Sequence, residues 1–218
     1  MFNNWASDKE VTKYLTWNHH ENVEVTKAFI SFVINTNQSD YVIVCKENDE
    51  IIGSISNVGE NADFSICEIG YCLSRKYWNQ GVMTEVLDAY LNELFNHRNY
   101  QAVEAEHMVE NIASGKVMMK CGFRYNYTVD KLVNKHGWIS VKHYSITKEE
   151  YQMHKLQQTL NNFLNAKVPM LSTLDKTMHV MANNGFLVKK INLIDDDNLV
   201  TRKSNDVLVI KNQEQNVN

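Results

Sequence analysis

Apolar and polar positions change period along the chain, and each change marks an element. Residues 2–17 place Trp5, Val11, Tyr14 and Leu15 near one side of a helix, and Asn22–Asn35 repeats the pattern with Val25, Phe29, Phe32 and Val33. The spacing then shortens. Tyr41–Lys46 and Ile51–Val58 read as strands around the turn Glu47-Asn48-Asp49-Glu50, a hairpin signature, and Asp63–Leu73 alternates as a third strand. Thr84–Phe95 returns to helical spacing, with Val86, Leu87, Tyr90, Leu91, Leu94 and Phe95 on one stripe. Ala102–Met108 alternates with Val103, Ala105 and His107 on one face and Glu104 and Glu106 on the other. Ser114–Lys120 is a short helix that Gly122 is placed to end, and Phe123–Val129 and Ile139–Thr147 are strands around a polar turn at Asn134–Gly137. The predicted order over residues 1–150 is α-α-β-β-β-α-β-α-β-β, an α+β domain.

A smaller α/β extension is expected over residues 151–218. Tyr151–Asn165 is helical, Pro169 interrupts, Leu171–Asn183 is helical again, and Gly185 caps it. Phe186–Ile194 and part of Leu199–Ile210 read as strands around the turn Asp195–Asn198, before the polar tail Gln213–Asn218. With 44% hydrophobic residues, the 218-residue chain can fill one sizeable core with such an appendage.

Composition removes several classes of function. A formal net charge of -4 is unlike the basic footprint of a nucleic-acid binder. Cys45, Cys67, Cys72 and Cys121 show no paired spacing, which points to a reducing compartment rather than a disulfide framework. The start of the chain lacks a signal-peptide pattern, and no apolar run approaches the ~18 residues a membrane span requires, so a soluble cytoplasmic protein is expected. No metal is expected either: Cys67 and Cys72 fall on opposite strand faces, and His19 and His20 have no second ligand pair nearby. Nucleotide-binding P-loop and hydrolase-elbow patterns are absent.

One segment carries chemistry. The run Glu68-Ile69-Gly70-Tyr71-Cys72-Leu73 delivers the chain to a turn, Tyr77-Trp78-Asn79-Gln80-Gly81, and Val82-Met83-Thr84-Glu85 opens the long helix. The first amides of a helix have no internal partners and lie at the positive end of its dipole, which suits phosphate. Gly81, without a Cβ, permits close approach of a ligand. By physics alone the same pattern is also an ordinary start of a helix. A second run, Glu110-Asn111-x-Ala113-Ser114-x-x-Val117-Met118-x-Lys120-Cys121-Gly122-Phe123, follows one strand later. Tyr71, Tyr77 and Trp78 fit an acceptor pocket or the core equally well.

Together the two runs resemble motifs A and B of the GNAT superfamily of N-acetyltransferases, in the branch similar to the ribosomal-protein N-terminal (alanine) acetyltransferases. The resemblance covers about residues 1–150. It implies a mixed, splayed central β-sheet flanked by helices, and acetyl-CoA as co-substrate, its pantetheine arm lying in the split beside the strand Glu68–Leu73. The pyrophosphate would rest on the amides of Gln80, Gly81, Val82, Met83 and Thr84. Tyr71, Cys72 and Leu73 would line the thioester through their main chain, with an amide near Tyr71 or Cys72 polarising its carbonyl. Asn111 would contact pantetheine or substrate.

Ser114 would sit near the sulfur, and because Met118 stands where many family members carry a tyrosine, Ser114 becomes the candidate to protonate the leaving thiolate or to hydrogen-bond it; its other reading is the N-cap of its own helix. Glu68 is the candidate base, acting through water, and by residue type alone it reads equally as a solvated strand carboxylate. The acceptor implied is a primary amine such as the N-terminus of a ribosomal protein. A small-molecule amine is an alternative, and a non-catalytic acyl-CoA-binding regulatory module is another.

The family's first strand and the start of its first helix would precede the residues matching Phe2–Trp17. The edge this exposes is expected to be covered by a strand from Leu199–Ile210 or by a second subunit, as in a homodimer.

Overall fold

A computed structural model describes residues 1–35, 40–165 and 207–211. The chain divides into two compact units, Met1–Tyr151 with Asp206–Asn218, and Gln152–Asn205. The elements expected at Leu171–Asn183, Phe186–Ile194 and Asp195–Asn198 lie outside the described residues, as do Pro169 and Gly185.

Among the described residues the first unit is built on seven strands: β1 (Asp40–Cys45), β2 (Glu50–Asn61), β3 (Ile66–Leu73), β4 (Ala102–Met108), β5 (Arg124–Val133), β6 (Gly137–Thr147) and β7 (Val207–Lys211). They lie in one sheet in the order β5-β6-β4-β3-β2-β1-β7. All neighbouring pairs are antiparallel except β3 and β4. That parallel pair needs a long crossover, and the helix α3 (Val82–Asn92) supplies it. The edge of β1 is paired by β7, where Tyr41 lies opposite Lys211 and Cys45 opposite Val207, so the expected cover comes from this chain.

The strands keep the sequence's alternation. Cys67, Ile69 and Leu73 of β3, Val103 and Ala105 of β4 and Tyr144 and Ile146 of β6 face one core, which α3 closes with Met83, Val86, Leu87, Tyr90 and Leu91. Leu94 and Phe95 continue the apolar stripe into a wider turn, Glu93–His97. Helix α4 (Ile112–Lys120) adds Met118 to the same core and stops where Gly122 takes a φ of 93°, a left-handed value that favours glycine.

Two differences from the periodicity have local causes. Residues 2–17 are not one helix: a short turn, Phe2–Ala6, is followed by α1 (Lys9–Thr12), because the Asp8 side chain accepts from the Glu10 amide and caps a new start. The third strand begins at Ile66 rather than Asp63, because Ala62–Phe64 forms a tight turn and Ser65 adopts a φ of 52°. In α2 (Val23–Asn35) the helix forms as expected, yet Thr26 and Val33 are its buried residues, while Val25, Phe29 and Phe32 stay exposed. On this second side of the sheet Trp5, Ala6 and Val11 pack with Trp17 and Cys72. Helix α5 (Lys148–Asn165) leaves the first unit after Tyr151, whose ring lies 5.3 Å from that of Phe95.

Candidate active site

The parallel pair at the centre of the sheet is short. Strands β3 and β4 are paired at Ile66–Ala102, Cys67–Val103 and Glu68–Glu104, and no further. Each strand runs on with its outer neighbour: β3 stays with β2 to Leu73, and β4 stays with β6 to Met108. The sheet therefore opens in two halves just beyond Glu68 and Glu104. Their facing edges, Ile69–Leu73 and Ala105–Met108, have separated, which leaves room for a third extended chain to meet main-chain donors and acceptors.

The turn after β3 leads to the mouth of this gap. Trp78 donates its ring N–H to the Leu73 carbonyl at 2.8 Å, and Tyr77 donates its hydroxyl to Glu50 at 2.8 Å. That hydrogen bond, then Lys76 at 3.1 Å, holds the Glu50 carboxyl below its usual range. Both aromatics thus shape the turn. Gln80 donates to the Lys76 carbonyl at 2.7 Å and stiffens it further.

Gly81 is the N-cap of α3 with a φ of 85°, and a Cβ built there would meet nothing within 4 Å. Among the described residues no side chain caps this helix start. The amides of the first turn, Val82, Met83 and Thr84, thus have neither an intrahelical acceptor nor, among the described residues, a side-chain one, beside open space: a cradle that fits a pyrophosphate.

Across the gap stands the first turn of α4. Asn111 is its N-cap and its side chain accepts from the Ser114 amide at 3.4 Å. Ser114 is therefore not the cap of its helix, and its hydroxyl is available for another role. The Tyr71 hydroxyl lies 2.9 Å from the Ser114 hydroxyl oxygen and 3.1 Å from the Ser114 carbonyl oxygen. This contact joins β3 to α4 over the split. Burial pushes the Tyr71 phenol well above its ordinary range, so it stays protonated. The Cys121 thiol, donating to the Thr84 carbonyl at 3.3 Å, ties the far end of α4 to the start of α3.

The sequence-derived residues thus form three groups. Gln80, Gly81, Val82, Met83 and Thr84 share the turn and helix start. Tyr71, Asn111 and Ser114 meet at the α4 start. Glu68 points to the opposite sheet face from Tyr71, beside Gly59 of β2 and in register with Glu104. Cys72 shares that second face, where its sulfur lies 3.4 Å from the Ser54 hydroxyl. Burial pushes the Cys72 thiol up to about 11 and the Cys67 thiol up to about 12, so neither supplies a thiolate near neutral pH.

Sequence reasoning left two neighbours without a role. His107 is 7% exposed; its Nδ1 donates to the Met108 carbonyl at 2.7 Å, and its Nε2 finds no partner among the described residues. It is stacked on Tyr144 and faces Gly115, where a Cβ would come within 2.6 Å of Nε2. Gly115 thus allows α4 to approach β4 and sets the height of Ser114. The legible signal was a glycine inside a helix, which is unfavourable unless something packs closely there.

Comparison with known proteins agrees with this geometry. The description of the acetyltransferase (GNAT) domain matches residues 1–124. The uncharacterized N-acetyltransferase YnaD of Bacillus subtilis (strain 168) is 30% identical over 154 residues, 67% of this chain and 86% of that protein. The ribosomal protein uS5 alanine N-acetyltransferase of Escherichia coli (strain K12) is 30% identical over 95 residues, 42% of this chain and 48% of that enzyme. This partial similarity does not single out the ribosomal branch. In structure, a GNAT-family acetyltransferase from Bacillus anthracis aligns with a TM-score of 0.60 at 24% identity, over 68% of this chain and 92% of that one. Spermidine N-acetyltransferase from Vibrio cholerae, solved with CoA and spermine, aligns with a TM-score of 0.59 at 16% identity, over 69% and 89%. At those identities the two structures support the fold, and the fold, the domain match and the relatives agree: the chain belongs to the GNAT family of N-acetyltransferases.

Proposed function

We propose that this enzyme moves the acetyl group of acetyl-CoA directly onto a primary amine at the gap between β3 and β4, with the N-terminal α-amine of a protein as its acceptor. The observation that carries the reading is the split of the sheet beyond Glu68 and Glu104, opening beside a helix start that no side chain caps among the described residues. In this reading the amides of Gly81 to Thr84, with Gln80, hold the pyrophosphate. The main chain of Tyr71, Cys72 and Leu73 faces the thioester, and Asn111 meets the pantetheine arm. An acetyl-cysteine intermediate is disfavoured, since burial keeps both nearby thiols protonated.

An α-amine titrates near 8 and needs less help to become neutral than a lysine amine near 10.4. Glu68, acting through water, takes the proton the amine loses. A small polyamine is the second reading. It is favoured by Glu68 and Glu104 standing side by side in register on one sheet face, and by the structural neighbour that acts on spermidine.

The test is thiol release from acetyl-CoA with a panel comprising alanine-initiated peptides, spermidine and lysine derivatives. Preference for the peptides supports the first reading, and preference for spermidine supports the second. CoA binding without turnover on any amine overturns both and favours a regulatory module. Glu68→Gln is expected to keep CoA binding and lose turnover by at least about 100-fold, the usual reach of general-base catalysis; normal turnover removes Glu68 from the mechanism.

A further inference from the structure

We infer that Tyr71 is a positioning residue whose hydroxyl orients the Ser114 hydroxyl toward the leaving sulfur, an inference that rests on the acetyl-transfer reading of this site. The geometry offers two arrangements. Tyr71 has one proton and two acceptors within reach, the Ser114 hydroxyl oxygen at 2.9 Å and the Ser114 carbonyl oxygen at 3.1 Å. When the phenol donates to the carbonyl, the serine hydroxyl turns back and donates to the phenol oxygen. When the phenol donates to the serine hydroxyl oxygen, the serine proton is directed away from Tyr71. Only the second arrangement gives the gap a hydrogen-bond donor at Ser114.

The surroundings hold the pair in place. Tyr71 sits on β3 and packs against the core, and Ser114 lies in the first turn of α4, whose start is fixed by the Asn111 cap. The neighbouring Gly115 seats that turn against His107. The two oxygens therefore come from opposite sides of the split, where the thioester is proposed to lie.

The chemistry balances without a change of charge on either hydroxyl. The amine nitrogen forms the new C–N bond and the C–S bond breaks. The proton lost by nitrogen goes to Glu68 through water. The sulfur leaves as a thiolate stabilised by the Ser114 hydroxyl and takes a proton from solvent. Tyr71 keeps its own proton throughout, which is consistent with a buried phenol that resists ionisation. Its part is to hold the Ser114 oxygen by donating to it, which leaves the serine proton directed at the sulfur.

The experiment compares wild type, Tyr71→Phe, Ser114→Ala and the double variant, measuring kcat, KM for acetyl-CoA and CoA affinity. Tyr71→Phe is expected to lower kcat about tenfold with CoA affinity unchanged, the scale of one lost hydrogen bond. The double variant is expected to match Ser114→Ala, because Tyr71 acts only through Ser114. Multiplying losses, or a Tyr71→Phe enzyme as fast as wild type, overturns the inference and leaves the acetyl-transfer reading intact. A parallel loss of CoA affinity in Tyr71→Phe shows a merely structural role and overturns it too. Absence of wild-type turnover on every amine overturns both. If Tyr71→Phe does not fold, 4-aminophenylalanine at position 71 restores a donor on the same ring. It is expected to turn over within about threefold of wild type, and a folded, CoA-binding protein of this kind without turnover overturns the inference.

Discussion

Replacing Gly115 by alanine tests how α4 is seated against β4. In an isolated helix the change is favourable by up to ~1 kcal/mol, because glycine is the poorer helix former. Here the added methyl would fall 2.6 Å from Nε2 of His107, 3.2 Å from its Cε1 and 3.3 Å from its Cδ2. The ring has little room to yield. Its Nδ1 donates to the Met108 carbonyl at 2.7 Å, its face stacks on Tyr144 with ring centres 5.5 Å apart, and it is 7% exposed. Overpacking of this kind costs about 1–3 kcal/mol, so the net expectation is a loss of ~1–2 kcal/mol. For a domain of this size that lowers Tm by about 2–8 °C.

The displaced turn carries Ser114, so kcat is expected to fall with it. Thermal unfolding monitored by circular dichroism reads the first effect and thiol release reads the second. In a His107→Val background the clash is gone, and Gly115→Ala is expected to be neutral or stabilising. A Tm at or above wild type in the single variant would refute the packing argument.

Three other outcomes follow from the same structure. Gly81→Ala has open space but a φ of 85°, so it is expected to lose about 1–2 kcal/mol by denaturant unfolding and to weaken CoA binding by calorimetry; unchanged affinity counts against the helix-start cradle. Lys135→Met removes an ammonium that donates to the carbonyls of Thr12, Leu15 at 3.4 Å and Trp17 at 3.0 Å, so faster amide hydrogen exchange over residues 12–17 and a loss of about 1.5–3 kcal/mol are expected; an unchanged exchange pattern shows the clamp is idle. Burial holds both His107 and His20 below the ordinary 6.5. The unfolded chain therefore binds protons first, and stability is full above 6.5 and falls as pH drops below it. His107→Val is expected to flatten that fall in pH-dependent denaturant titrations, and an unchanged slope refutes its burial as a neutral ring.

Much of the site was legible because it rests on local patterns. The alternation in β3 and β4, the stripe of α3, Gly81 before it and Gly122 after α4 each follow from a few consecutive residues whose period or φ requirement is intrinsic. Two motif runs in order were enough to identify the family, and the split sheet agrees with it. The long N-terminal helix was misread because its apolar spacing is helical throughout, while the capping by Asp8 that restarts it is a competing local hydrogen bond.

What the sequence determined by itself is most of the strands and helices of residues 40–151, where the glycines must bend the chain, and which residue types are available for acyl transfer. Tertiary structure alone decided that Asn111 rather than Ser114 caps α4, that Tyr71 reaches Ser114 across the split, that Glu68 faces away from both, and that His107 demands a glycine at 115. Tyr71 and Ser114 meet from 43 positions apart, and His107 and Gly115 meet only because α4 packs back on β4. Periodicity reports which side a residue faces, and only the packed sheet and helices say what it meets there.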